Sequence, residues 1–222
     1  KSFIHEKRNL EKSKVSFSKK QPPISVIICA KNEAANLREF LPDLLTQDYP
    51  NYEVIVVNNG SCDESEDLLS DFSKKYSNLY HTYLPSEAKF ISTKKMALTV
   101  GVKAAKNEIL LLTDADCKPE GKNWISSIVR NFDDKTDVVL SYGAYFKEKG
   151  FLGKLISYDT FFIALQYMGF ALAGKPYMGV GRNLAYRKSL FFKNKGFASH
   201  LNLRSGDDDL FVSEVSKKTI QK

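Results

Sequence analysis

Four short strand-like runs, Ile24 to Cys29, Val54 to Val57, Leu79 to Leu84 and Ile109 to Leu112, recur along the first half of the chain with helix-spaced segments between them. The first is β-branched and almost wholly apolar, and Ile109 to Leu112 is wholly so, as in strands buried on both faces. Residues 33 to 46 place Ala34, Leu37, Leu41, Leu44 and Leu45 at helical spacing. Asp63 with Glu66 three residues on makes a capping-box-like start for a helix to about Tyr76. Residues 92 to 105 put Met96, Val100 and Ala104 on one helical face, and a helix around Trp124 to Phe132 and a strand around Val138 to Ser141 follow. This alternation predicts an α/β fold with a mainly parallel central sheet flanked by helices and built from right-handed crossovers. Ligands of such sheets bind beyond the carboxyl ends of the strands. The informative segments are therefore Ala30 to Glu33, Asn58 to Asp63 and Thr113 to Cys117.

Past residue 150 the alternation stops. Residues 152 to 173 are apolar and aromatic, carrying Tyr158, Phe161, Phe162, Tyr167 and Phe170. The stretch reads first as a core-packing helix, and otherwise as an element lining an acceptor groove or touching a membrane. The 222 residues, 43% of them apolar, suffice for one domain. The net charge of +7 is concentrated in residues 1 to 20, with seven Lys/Arg and two Glu; the rest is nearly neutral, so nucleic acid is not an expected partner. Residues 1–21 form a basic tail, either solvated or in contact with anionic lipid headgroups. No uninterrupted apolar run reaches the ~18 to 20 residues of a membrane span, and no signal peptide pattern is present, so the chain reads as soluble. Its start at Lys1 and its charged end at Lys222 read as those of a piece of a longer protein. Cys29, Cys62 and Cys117, odd in number and without Cys-x-x-Cys spacing, point to a reducing compartment.

Asp114 and Asp116 stand two residues apart at the exit of the fourth run, where extended backbone would point both carboxylates to one side. Two hard oxygen ligands there suit Mg²⁺ or Mn²⁺ completed by water and phosphate oxygens. Asp207, Asp208 and Asp209 crowd three acids together, either as a helix N-terminus favoured by the macrodipole or as the general base of a catalytic centre. Gly181, Arg182 and Asn183, preceded by Gly179, offer close backbone approach and a guanidinium for a phosphate or carboxylate. There is no Gly-Lys-Ser/Thr phosphate loop. His5, His81 and His200 lie far apart; only His200, near the acidic cluster, is a candidate metal ligand.

Taken in order, these segments resemble family 2 of the inverting glycosyltransferases, which have the Rossmann-like GT-A fold, from about Pro23 to Val212. Ile24 to Glu33 is similar to the family's opening strand and its Asn-Glu, which implies nucleotide contacts at Ala30, Asn32 and Glu33. Val54 to Asp63 is similar to the segment usually written Val-Asp-Asp-Gly-Ser-x-Asp, which implies base recognition at Asn58 and Asn59; there the asparagines add an NH₂ donor where the family has acids. Lys94 to Gly101 resembles the Lys-x-x-Ala-Leu-Asn-x-Gly helix, with Lys94 near the donor phosphates and Thr99 in place of Asn. Thr113 to Cys117 matches the Asp-x-Asp, which implies that Asp116 holds the metal and Asp114 supports both metal and donor. Gly206 to Leu210 resembles the Glu-Asp-x-x-Leu base motif. Anchored on Leu210 it makes Asp207 the base; read as Glu-Asp it makes Asp208 the base, and the first is preferred. A Gln-x-x-Arg-Trp motif is absent.

The resemblance implies one domain over 22–222, with 22–145 binding the nucleotide sugar and 146–222 on the acceptor side. It implies displacement with inversion from a nucleotide-diphosphate sugar, a UDP-sugar being favoured, to a saccharide or lipid-linked acceptor in polysaccharide, glycolipid or glycoconjugate synthesis. Gly181, Arg182 and Asn183 fall on the acceptor side. The expected location is the cytoplasm, at the cytoplasmic face of a membrane. Two rivals are a nucleotidyltransferase, against which the first loop reads Ala-Lys-Asn-Glu rather than Gly-rich and basic, and a catalytically silent sugar- or membrane-binding module.

Overall fold

The computed structural model describes residues 21–85, 93–146, 149–200, 203 and 205–220. The basic tail up to residue 20, with His5, lies outside the described residues. β1 (Ile24–Ala30), α1 (Ala34–Leu45), β2 (Tyr52–Asn59), α2 (Ser65–Lys75), β3 (Leu79–Leu84), α3 (Thr93–Ala104) and β4 (Ile109–Asp114) follow the expected alternation. After them come α4 (Trp124–Val129), β5 (Val138–Leu140), α5 (Phe151–Leu172), β6 (Leu184–Arg187), α6 (Lys188–Lys193) and α7 (Asp207–Ile220). The six strands form one sheet in the order β3-β2-β1-β4-β6-β5. β1 pairs in parallel with β2 and β4, and β2 with β3, whereas β6 runs antiparallel to both β4 and β5.

The period of two along β1 separates the core into two layers. Ile24, Val26 and Ile28 pack with Val54, Val56, Leu111 and the α1 residues Leu37, Leu41, Leu44 and Leu45. Ile27 turns the other way, with Ile55, Val57, Leu110 and Leu112, onto Ala97, Leu98 and Val102 of α3 and Phe211, Val212 and Val215 of α7. The sheet is therefore covered on both faces, as a wholly apolar parallel strand requires.

Three local expectations are corrected. The buried face of α3 is Lys95, Ala97, Leu98, Gly101 and Val102, while Met96, Val100 and Ala104 are only half-buried. The spacing of the larger residues picked the neighbouring stripe, because the closest approach to the sheet is made where the side chain is absent. A Cβ at Gly101 would lie 2.6 Å from Ile27 Cγ2 and 3.3 Å from Val57 Cγ2. The Asp63/Glu66 pair forms no reciprocal box: Asp63 accepts from the Ser65 N–H at 3.1 Å, but Glu66 accepts from the Asn58 amide at 2.7 Å.

The third correction concerns α5. It is not a core helix: Gly153, Ala164 and Tyr167 are buried, yet Phe151, Leu152, Leu155, Tyr158, Phe161, Phe162, Leu165, Phe170 and Leu172 are exposed. Its 22 residues are also long and apolar enough to cross a membrane by length and composition. Lys154, Asp159 and Gln166 interrupt the run, which is why a search for an unbroken apolar stretch passes over it.

Gly101→Val is expected to destabilise the fold by about 1–3 kcal/mol through overpacking, read as a lower urea midpoint at unchanged slope.

Candidate active site

In the strand order 3-2-1-4, the chain departs in opposite directions from β1, so a crevice opens between the carboxyl ends of β1 and β4. The register sets Cys29 beside Asp114 and Ala30 beside Asn58, bringing three loop starts to one level. Two of those loops are stitched together. Asn32, in a left-handed conformation (φ 57°) that asparagine tolerates, donates its N–H to Ser61 Oγ at 2.9 Å and accepts from the Cys62 N–H at 2.8 Å. Asp63 accepts from the Ala34 N–H at 3.0 Å and from the Ser65 hydroxyl at 2.6 Å. Partial desolvation works to raise the Asp63 carboxyl, but these hydrogen bonds outweigh it and hold it below the ordinary range.

A cleft of about 360 Å³ at this edge is lined by Ala30, Lys31, Glu33, Asn59, Lys94, Asp114 and Asp116, among others. A second, of about 620 Å³, is lined by Trp124, the Tyr142–Phe146 segment, Arg182 and Asn183. Asp114 and Asp116 line both. They do so through a turn rather than the extended backbone expected: β4 ends at Asp114, and the Cys117 N–H closes back onto the Asp114 carbonyl at 3.2 Å. Ligand atoms of Asp114, Asp116 and Cys117 all lie within 4.8 Å of one another. The two carboxylates fit a hard divalent cation. Burial first, then the Asp114 and Asp116 carboxylates, pushes the Cys117 thiol up to about 11, so it is a neutral neighbour of the pair.

The acidic N-terminus of α7 reaches the same place. Lys94 Nζ lies 3.3 Å from Asp114 Oδ1 and 3.7 Å from Asp207 Oδ2. Burial works against the Lys94 ammonium, but Asp114, Asp207 and Asp208 outweigh it and raise its pKa well above the usual value. Asp208 accepts the Gly181 N–H at 2.7 Å, and a Cβ at Gly181 would collide with that carboxylate. Burial first, and the Asp207 carboxylate second, push Asp208 up to about 7, against the pull of Lys94 and the Gly181 hydrogen bond. Asp207 Oδ2 is buried and has no hydrogen-bond partner among the described residues.

Of the residues read from the sequence, the structure thus gathers Ala30, Glu33, Asn59, Lys94, Asp114 and Asp116 in the first cleft, with Asp207 and Asp208 against it. Arg182 and Asn183 line the second cleft, and Gly181 backs Asp208. Asn183 is held by the Trp124 indole N–H at 3.2 Å and donates to the Tyr142 carbonyl at 2.9 Å. Two residues do not line the first cleft. Asn58 is 0% exposed, with its amide committed to Glu66 and its carbonyl to the Ser61 N–H. Asn32 is exposed but spends its carbonyl on the stitch to Cys62 and does not line the cleft. Both shape the loops that carry Glu33 and Asn59. His81 faces Glu66 on β3, and His200 closes the short turn Ala198–His200.

Sequence reasoning missed Lys95. It is 0% exposed, and its ammonium donates to the carbonyls of Leu203 at 2.8 Å and Ser205 at 3.1 Å, fastening α3 to the loop that enters α7. The signal was a pair of lysines in an apolar helix, with nothing to say which one turns inward. The aromatic wall at Trp124, Tyr142, Tyr145 and Phe146 was missed as well, although it holds the chain's one tryptophan.

The profile of glycosyl transferase family 2 matches residues 25–193, and the chain belongs to that family. The probable glycosyltransferase YdaM of Bacillus subtilis is 29% identical over 228 residues, covering 96% of this chain and 49% of YdaM. Among solved structures, the mannosyltransferase PcManGT from Pyrobaculum calidifontis, in complex with GDP-Man and Mn²⁺, superposes with a TM-score of 0.65 at 22% identity, covering 90% of this chain and 52% of that one. S. aureus TarS 1–349 gives 0.60 at 23% identity, covering 87% and 55%. The chain spans about half the length of these proteins, and its fold is GT-A.

Because the folded carboxyl of Asp208 sits above its ordinary 3.8, the folded state binds the extra proton and stability falls as pH rises from 3.8 to about 7. With a chelator present, Asp208→Asn is expected to remove most of that fall, measured as urea midpoints across the window.

Proposed function

We propose that the chain transfers a sugar, with inversion, from a nucleotide-diphosphate sugar to an acceptor hydroxyl. One observation carries this reading: the Asp114/Asp116 pair forms a shared wall between two clefts, and a further carboxylate, Asp207, stands across Lys94 from it. The first cleft receives the nucleotide sugar, with Asn59 and Glu33 toward the nucleotide and Lys94 toward the phosphates. The second receives the acceptor along its aromatic wall, with Arg182 and Asn183 at its edge. Sugars stack on such rings, and the fixed Asn183 amide limits how an acceptor can lie.

Asp116, supported by Asp114, would hold Mg²⁺ or Mn²⁺, which when bound offsets charge on the diphosphate. The Mn²⁺ and GDP-Man of PcManGT and the UDP-GlcNAc of TarS support a divalent cation and a nucleotide sugar here. Asp207 takes the proton of the acceptor hydroxyl as its oxygen bonds to the anomeric carbon. The bond from that carbon to the phosphate oxygen breaks, and the nucleoside diphosphate leaves with the electron pair. Asp207 Oδ2, which faces the Lys94 ammonium at 3.7 Å and accepts no hydrogen bond among the described residues, supports this role, whereas Asp208 is tied to the Gly181 N–H and sits second. Product serves polysaccharide, glycolipid or glycoconjugate synthesis at the cytoplasmic face of a membrane; three free cysteines support a reducing location.

Calorimetry tests the division of labour. Asp116→Ala is expected to abolish metal-dependent donor binding, and unchanged affinity would remove the metal assignment. Asp207→Asn is expected to bind donor normally and lose transfer by about 10²–10⁴-fold; near-full turnover there, with loss in Asp208→Asn, would move the base to Asp208.

A further inference from the structure

Two cations line the second cleft. Lys118 is paired with Asp43 at 3.3 Å, whereas Arg182 forms no hydrogen bond and no ion pair among the described residues. The Arg182 Nε–H is buried as well. Burying a charged N–H donor without an acceptor is costly, because the hydrogen bonds of water are lost and nothing replaces them. An acceptor atom brought by a ligand would close that gap.

The side chain is held in place on three sides. Before it, Gly181 gives its N–H to Asp208 at 2.7 Å. After it, Asn183 accepts from the Trp124 indole at 3.2 Å and donates to the Tyr142 carbonyl at 2.9 Å. Its stem crosses the backbone at Gly143, where an added Cβ would lie 2.8 Å from Cγ, Cδ and Nε. A guanidinium anchored in this way loses little further freedom when a ligand arrives. Its field also reaches Tyr167 on α5, where burial raises the phenol and Arg182 works to lower it.

The acids of the same cleft do not answer this charge. Asp114 faces Lys94, Asp116 stands exposed beside it at the proposed metal position, and Glu120 is exposed; none of the three pairs with Arg182. The donor phosphates are assigned to Lys94 in the first cleft, which Arg182 does not line. The planar donors of a guanidinium match two oxygens of a carboxylate or a phosphate. Beside the aromatic wall, such a group would be carried on a saccharide or polyol lying in the cleft.

We propose that the second cleft takes an acceptor bearing an oxyanion, the carboxylate of a uronic acid or the phosphate of a sugar or polyol phosphate, and that Arg182 selects it. The word acceptor rests on the function proposed above; the anion site does not, and is tested without donor or metal.

The 222-residue chain, with a chelator present, is titrated calorimetrically with methyl β-glucuronide, glucose 6-phosphate and methyl β-glucoside. At least one of the two anions is expected to bind at least about tenfold more tightly than the neutral glucoside, and the tighter of them identifies the oxyanion. In Arg182→Gln that preference is expected to vanish, with the affinity for the glucoside and the circular dichroism unchanged. In Gly143→Ala, which pushes the stem aside, the preference is expected to fall although the guanidinium is still present. Equal binding of all three probes by the unaltered chain would overturn the proposal. So would a preference that survives Arg182→Gln, which would assign the anion to Lys94 or to the basic residues 1 to 20. Loss of the preference in Lys118→Gln rather than in Arg182→Gln would overturn it too. A chain that binds an anion through Arg182 but fails the donor-binding test above would overturn the proposed function and leave the anion site standing.

Discussion

Four carboxylates converge at the carboxyl edge of the sheet, and the Lys94 ammonium lies among them. Asp114 comes from the end of β4, Asp207 from the start of α7, and Lys94 from the first turn of α3. Like charges this close repel, and partial burial strengthens the repulsion. With Lys94 in place, the two acidic segments can be neighbours; without a cation at this point, α7 could not bring its acidic end against the sheet at neutral pH unless protons were taken up. Even with the lysine there, burial first and the Asp207 carboxylate second push Asp208 up to about 7. Lys95 supports the arrangement from the other side of the same turn by tying the loop before α7 to α3.

Much of the fold was legible because its signals are local and redundant. Ile24 to Ala30 announces a doubly buried strand in seven residues, and the α1 leucines name their own buried face. The two acidic motifs were legible by type and order. What could not be read was set by tertiary contact. Gly101 is buried because of where Ile27 and Val57 stand, which no helical periodicity encodes. Asn58 and Asn59 are identical neighbours, and only the pleat of β2 and the position of Glu66 decide that the first is sealed in and the second faces the cleft.

The length of α5 was visible in sequence, but not its surroundings. Apolar content alone reads as core, because most long apolar helices in compact domains are buried. The distinction lies in what packs against the helix, and only Gly153, Ala164 and Tyr167 of it are buried. The same holds for the Trp124 to Phe146 wall, whose members are separated by β5 and meet only when β5 pairs with β6.

Asp114 and Asp116 line both clefts, so the two clefts share one wall. Whatever neutralises the pair from one side changes the electrostatic potential felt on the other. The affinities of the two clefts are then linked by a coupling free energy, and the linkage must be reciprocal: an occupant that strengthens its neighbour's binding is strengthened by it to the same degree. On the function proposed above, such a site would fill in sequence, with a cation and an anionic ligand together first, because the cation offsets both the shared carboxylates and the anion before a neutral hydroxyl is admitted beside them.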